Sequence, residues 1–300
     1  MSDYKDYEEF LKNVDEVELR RRIRRFRNLN FEGMEYSEIA NEIDNVLTSN
    51  GTFMLIPDIY TYPTGVFFYR TRTLKDVQRL NETISKISDF WNPPVELMDK
   101  NMYGRLNKPQ ESLLYTAPID ALVAVDEIVP KLEKDNNLLL IAYQSIEKIK
   151  VNFIGGDFYS GKFGIHDEKA IRVGETYNDF FRVDFMRDVG KGTEYLYKIS
   201  EIIAKQYFDL PPREIQDAWA YPSIKTKTKC NVCFRAEIAK DLLELQGAVI
   251  AKYDQQQVHC YKVIHGFDQT GRPIYHEIGS EIQKRLFPEI GPNPNGGKNP

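Results

Sequence analysis

Cysteine is scarce in this chain: only Cys230, Cys233 and Cys260 occur among 300 residues. An odd, low count offers no disulfide framework, so a reducing compartment is expected. Long apolar runs are missing too. No stretch reaches the ~18 residues of a membrane-spanning helix, so no membrane contact is expected. The opening segment, MSDYKDYEEFLKNVDE, is acidic and polar. It has neither the positive start nor the apolar centre of a signal peptide, which makes the cytoplasm the expected location. No Gly-x-Gly-x-x-Gly follows a strand pattern, which argues against a hydride-transferring dehydrogenase. Ser223 lacks a Gly-x-Ser-x-Gly setting, so it is not read as a covalent nucleophile. Positive charge is in the minority: 40 Lys and Arg stand against 45 Asp and Glu, a net charge of -5. That balance makes a general nucleic-acid binder unlikely and leaves room only for a local basic patch.

What is present is an ordinary globular composition, 42% hydrophobic and 28% charged, with 18 tyrosines and 17 phenylalanines. The length allows one large domain or two modest ones. Apolar residues at helical intervals predict helices over 5–27 and 37–50, the second capped by Ser37 and stopped by Gly51. TFMLIPDI and GVFFYRTR read as strands. Leu74, Val77, Leu80, Ile84 and Ile87 predict a helix from Thr73 to the prolines at 93 and 94. PIDALVAVDEIV reads as a short, buried helix with Pro118 in its first turn. NLLLIAYQS and KIKVNFIGG are strands, and 194–208 is a helix. Residues 155–193 show no assignable pattern. AWAYPS and NVCFR read as strands, AEIAKDLLELQG as a helix ended by Gly247, and AVIAKY, QVHCYKVIHGF and PIYHEIGS as strands. The mixture lacks a regular βαβα alternation, so an α+β class is expected. The expected division is a helical extension over 1–60, a main domain over 61–287 and a tail over 288–300.

Several residues can carry chemistry. Arg105 follows a glycine in a polar loop, where a guanidinium fork suits a phosphate. Tyr115 sits in the strand SLLYTAP. Asp126 and Glu127 lie on the buried helix, and an internal carboxylate is costly unless paired or functional; helical periodicity does not say which of the two points inward. Cys230 and Cys233 form a C-x-x-C, with His259 and Cys260 further on. No second such pair or spaced histidine pair accompanies them, so buried thiols are expected and no metal. Six arginines between Arg20 and Arg27 make a basic helix face. Its plain reading is a solvated surface, and its sharper one is a docking surface for an acidic protein, another subunit or a nucleic acid.

Five short segments occur in a telling order: FFYR ending at Arg70, GRLN from Gly104 to Asn107, LLYTA around Tyr115, AVDE ending at Glu127, and Pro222-Ser223 followed by Asn231. Together, over roughly residues 65–245, they resemble the RES-domain family, named for an Arg, a Glu and a Ser. Two departures are visible. Leu106 stands where the family often has an aromatic residue, and the stretch between Glu127 and Ser223 is long.

The resemblance implies a fold like that of ADP-ribosyltransferases, with a split mixed sheet around a cleft for NAD+. It implies NAD+ cleavage or ADP-ribose transfer, as in toxins or phage-defence effectors paired with an antitoxin. It selects Glu127 over Asp126 as the catalytic acid, with Arg105 and Ser223 beside it. Arg70, Tyr115 and Asn107 become the substrate-binding residues. NAD+ is then a substrate, and no resident cofactor is needed. A homo-oligomer is the expected assembly.

Overall fold

The computed structural model describes residues 2–74, 84–98, 100, 103–128, 137–156, 158, 160–209, 213–223, 229–254 and 257–290. In chain order the helices and strands are α1 (Ser2–Asn13), α2 (Glu16–Arg27), α3 (Tyr36–Leu47), β1 (Ile59–Tyr62), β2 (Phe67–Leu74), β3 (Leu113–Pro118), α4 (Ala121–Asp126), β4 (Asn137–Ser145) and β5 (Ile149–Phe153). They continue with α5 (Glu168–Phe185), α6 (Tyr197–Tyr207), β6 (Ala218–Pro222), β7 (Cys230–Arg235), α7 (Ala236–Leu242), β8 (Leu243–Asp254), β9 (Gln257–Phe267), β10 (Pro273–His276) and α8 (Glu281–Leu286). The class is mixed α+β. No helix among the described residues is long and apolar enough to cross a membrane.

Two compact units share the chain. Unit 1 takes Met1–Tyr60, Met98–Glu111 and Asn152–Pro222; unit 2 takes Thr61–Leu97, Ser112–Val151 and Ser223–Pro300. The helical start, Met1–Tyr60, shares unit 1 with later segments of the chain. Its apolar stripes need a partner, and α5 and α6 supply one. Leu19, Ile23 and Phe26 of α2, Ile39 and Ile43 of α3, Phe180 and Phe181 of α5, and Ile199 and Ile202 of α6 are all buried. The Phe26 and Phe180 rings meet edge to face at 5.4 Å, a favoured aromatic geometry.

Local chemistry explains the helix ends in unit 1. The expected continuous helix over 5–27 breaks at Asp15, whose side chain accepts from the Val17 and Glu18 N–H groups at 3.0 Å each and so starts α2 afresh. Helix α3 begins before Ser37, with the Glu38 carboxylate taking the Glu35 N–H at 2.7 Å. Residues 53–58 form no strand, contrary to expectation. Helix α5, in a stretch that gave no pattern, buries Ala170, Val173, Tyr177, Phe180 and Phe181 behind an Asp167 cap.

Unit 2 is built on a sheet whose strands run β7-β3-β2-β4-β8-β9-β10. Each of the six pairings is antiparallel. One face packs on α4 and α8 through Tyr69, Ala117, Ala121, Val123, Val125, Leu138, Leu140, Val249, Leu286 and Phe287. The predicted helix over 236–247 is helix α7 as far as Leu242, and its last five residues open strand β8. Gly247 lies inside it, at the register shift opposite Ala142 and Tyr143. Its φ is +157°, and an added Cβ would lie 2.5 Å from the Ile264 carbonyl oxygen. It marks a bulge rather than a helix stop. Pro118 ends β3 instead of opening α4, and Ile119 makes the turn between them at φ +73°. Of the helix predicted from Thr73 to the prolines at 93 and 94, residues 75–83 lie outside the described residues; Thr73 and Leu74 end β2, and within 84–92 only Ile87–Phe90 form a single 3-10 turn, so the described parts are not the expected α-helix. The 291–300 part of the predicted tail is likewise outside them, while Ile290 is buried in the unit 2 core.

Candidate functional site

Glu127 closes α4 in unit 2, its N–H bonded to the Val123 carbonyl at 3.2 Å. A carboxylate at a helix C-terminus opposes the helix dipole, so helix stability does not account for it. Two side chains do. Ser223 Oγ donates to Glu127 Oε1 at 2.7 Å, and Asn231 Nδ2 donates to the same oxygen at 2.9 Å. Ser223 is 96 residues away in sequence and Asn231 is 104. Oε2 receives no hydrogen bond from a described residue, and the carboxyl group is half-buried. Both donors are buried.

The backbone explains the convergence. The Ser223 N–H donates to the Lys229 carbonyl at 2.8 Å, which ties together the two ends of the segment between β6 and β7. Lys229 also pairs with Asp120, the residue that caps α4 by accepting from the Leu122 N–H. Lys229 and helix α4 are thereby tied to one another. Asn231 owes its direction to register. Tyr115 lies opposite Cys233 and Thr116 opposite Val232, which puts Ala117 opposite Asn231. Opposed residues of an antiparallel pair share a face. Ala117 is packed under α4, so Asn231 points to the α4 side.

Tyr115 lies on that side also, two residues from Ala117 and diagonal to Asn231, about 7–8 Å away across the strands. It is half-buried. Arg235 shares the face, opposite Leu113, and is 5% exposed. Sequence reading passed over it. The available signal was a cation ending an otherwise apolar strand, CNVCFR. The hydrogen bonds of Ser223 and Asn231 go to Glu127 and not to Asp126, the other acid on α4. Burial, with Asp120 and Glu127 as nearby negative charges, raises its pKa above the usual aspartate range.

Arg70 is placed differently. It follows Tyr69 on β2, and Tyr69 faces the α4 side, so Arg70 projects from the opposite face of the sheet. There its guanidinium donates to the Trp91 carbonyl, while Arg72 donates to the Asp89 carbonyl at 2.9 Å. Both strand arginines hold the turn at 87–91.

Arg105 and Asn107 belong to unit 1. Arg105 donates to the carbonyls of Phe185, at the end of α5, and Arg187, the latter at 3.2 Å. Its guanidinium lies 5.8 Å and 5.5 Å from the ring centres of Phe185 and Tyr197. A cation on the last carbonyls of a helix is a favourable C-terminal contact. Asn107 is buried, and the Gly104 N–H donates to its carbonyl at 2.9 Å. A Cβ on Gly104 would fall 2.1 Å from Asn107 Oδ1. The glycine therefore lets this turn close tightly, whatever binds near it.

Cys230, Cys233 and Cys260 are not joined in disulfides. Cys230 meets the Tyr62 hydroxyl at 3.4 Å, and burial raises its pKa. Burial pushes the Cys260 thiol up to about 12. Among the described residues no group of three or more His, Cys, Asp or Glu could hold a metal ion.

Comparison with models of protein families, with curated proteins and with solved structures finds no match.

Chemically, the arrangement is a carboxylate with one oxygen fixed by two neutral donors and the other left for a ligand. Ser223, having given its proton to Glu127, can only accept from any further group. An aromatic side chain stands beside them on the same face.

Proposed function

We propose that this protein cleaves the nicotinamide–ribose bond of NAD+, with Glu127 as the catalytic carboxylate. The observation that carries the reading is the pair of hydrogen bonds from Ser223 and Asn231 to one oxygen of Glu127. They orient the acid and leave Oε2 for the substrate. The resemblance to RES domains supports it, through the same Glu and Ser and the accompanying Tyr115.

The bond breaks with its electron pair moving to the nicotinamide nitrogen, and positive charge develops on the ribose as in glycoside cleavage. A carboxylate held beside the ribose stabilises that charge. Water then adds to the ribose carbon and loses a proton to Glu127 Oε2. The products are nicotinamide, ADP-ribose and a proton. Tyr115 supplies a flat face for the nicotinamide ring. Ser223 Oγ accepts from the carboxamide NH2. Arg105 and Arg70, engaged with backbone carbonyls, drop out of the substrate contacts. In this reading unit 2 supplies the catalytic face of an ADP-ribosyltransferase-like cleft. The biological role is NAD+ depletion by a toxin or defence effector held in check by an antitoxin.

Incubating the purified chain with NAD+ and following free nicotinamide tests the proposal. Release that stops when Glu127 is replaced by Gln supports it, and no release under any condition that keeps the chain folded removes it. Transfer of ADP-ribose to a macromolecule shares the first step. NAD+ labelled in the adenylate half separates the two, because hydrolysis leaves all the label in a small molecule.

A further inference from the structure

The carboxylate site in unit 2 has already spent the proton of its serine. An ionised carboxylate only accepts hydrogen bonds, so the 2.7 Å contact between Ser223 Oγ and Glu127 Oε1 uses the one hydroxyl proton. The Ser223 N–H is committed as well, to the Lys229 carbonyl at 2.8 Å. What Ser223 offers a ligand is therefore an oxygen that accepts. Little water screens that oxygen, because Ser223 and Asn231 are only 2% and 5% exposed.

A negative charge lies one hydrogen bond beyond. Asn231 Nδ2 donates to the same oxygen of Glu127 at 2.9 Å. A substrate atom in hydrogen-bond contact with Ser223 Oγ or Asn231 Nδ2 is thus held within about 6 Å of Glu127 Oε1. Lys229 is engaged by Asp120. Arg235 lies four residues from Asn231 along β7, about 13 Å at the usual strand rise. The charge that such an atom meets first is therefore that of Glu127.

That chemistry separates two dinucleotides of nearly equal size. NAD+ carries a carboxamide on its pyridine ring, and the NH2 donates. The acid analogue, nicotinic acid adenine dinucleotide, carries a carboxylate there, which only accepts. From this geometry, and resting on the proposed NAD+ cleavage, we infer that Ser223 selects the amide over the acid. The amide supplies the hydrogen that Ser223 Oγ lacks. The acid sets lone pairs against lone pairs and brings a second negative charge toward Glu127. A site built to hydrogen-bond one substrate group rejects an analogue without it far more strongly than an apolar pocket rejects a change in size.

The test gives both dinucleotides to the full chain and follows their common product, ADP-ribose, by ion-exchange chromatography. kcat/KM should favour NAD+ by about 100-fold or more. The 3-acetylpyridine analogue, neutral but without the donor, should lose about tenfold through KM. Ser223→Ala, checked for folding by circular dichroism, should slow both reactions alike through Glu127 and raise KM for NAD+ alone. The preference then narrows about tenfold. Similar kcat/KM values for amide and acid in the wild type overturn the inference and leave NAD+ cleavage standing, whether or not the variant folds. A full preference kept by folded Ser223→Ala also overturns it, since the selection would lie elsewhere. If neither dinucleotide is cleaved, the proposed NAD+ cleavage falls and this inference falls with it.

Discussion

Glu201 offers a quantitative check on the packing of unit 1. It lies on α6 with no exposed surface, and neither carboxylate oxygen receives a hydrogen bond from a described residue. Lys108 Nζ is 4.0 Å from Oε1, and Tyr36, Lys205 and Glu111 also face the group. Burial pushes its pKa from 4.5 up to about 7, against the opposing pull of Tyr36, Lys108 and Lys205. Because the folded-state pKa is raised, the folded chain keeps this proton after the unfolded chain has lost it. The stability contributed is complete below pH 4.5 and is lost as pH climbs to about 7. A shift of that size corresponds to about 3 kcal/mol, at roughly 1.4 kcal/mol per pH unit. Glu201→Gln keeps the shape and removes the titration. Denaturant unfolding of both proteins at about pH 5 and about pH 8 should show the variant gaining about 2–3 kcal/mol on the wild type between the two. A stability difference that is the same at both values would refute the reasoning, since Glu201 would then not hold its proton in the folded state.

Three further outcomes are expected. Ser223→Ala leaves Glu127 Oε1 with Asn231 alone; NAD+ cleavage should slow about tenfold in kcat, the loss of one oriented hydrogen bond, and an unchanged rate would detach Ser223 from the chemistry. Arg105→Gln removes donors to two carbonyls and should lower stability by about 1–2 kcal/mol in urea; a raised KM for NAD+ at unchanged stability would return Arg105 to the substrate. Gly247→Ala sets a methyl group 2.5 Å from the Ile264 carbonyl oxygen, and thermal melting should show a loss of about 1–3 kcal/mol.

Much of the fold was legible where one physical signal acted alone. Strand β4 is buried along nearly its whole length and reads as NLLLIAYQS, an apolar run with no competing period. Helix α5 was missed although Val173, Tyr177, Phe180 and Phe181 recur at helical spacing, because glycines and polar residues on both sides hid the stripe. The start of β8 was misread because LLELQ is built of good helix formers; pairing with β4 outweighed that local preference. At the site, the acid could be located because its helix is apolar, but the choice between Asp126 and Glu127 came from the family resemblance. The hydrogen bonds from Ser223 and Asn231 depend on strand register and on the Ser223–Lys229 backbone bond, neither of which has a sequence period. Arg70 shows the limit from the other side. Motif order groups it with Tyr115, whereas the two-residue alternation of β2 beside buried Tyr69 turns it to the opposite face.

The most direct measurement is a paired kinetic comparison of the adjacent acids, Asp126→Asn and Glu127→Gln, by nicotinamide release from NAD+ under identical conditions. The account predicts a fall of about 100-fold or more in kcat for Glu127→Gln, as for removal of a general base, and a rate within about threefold of wild type for Asp126→Asn. Equal rates in wild type and Glu127→Gln, or the larger loss at Asp126, would contradict it.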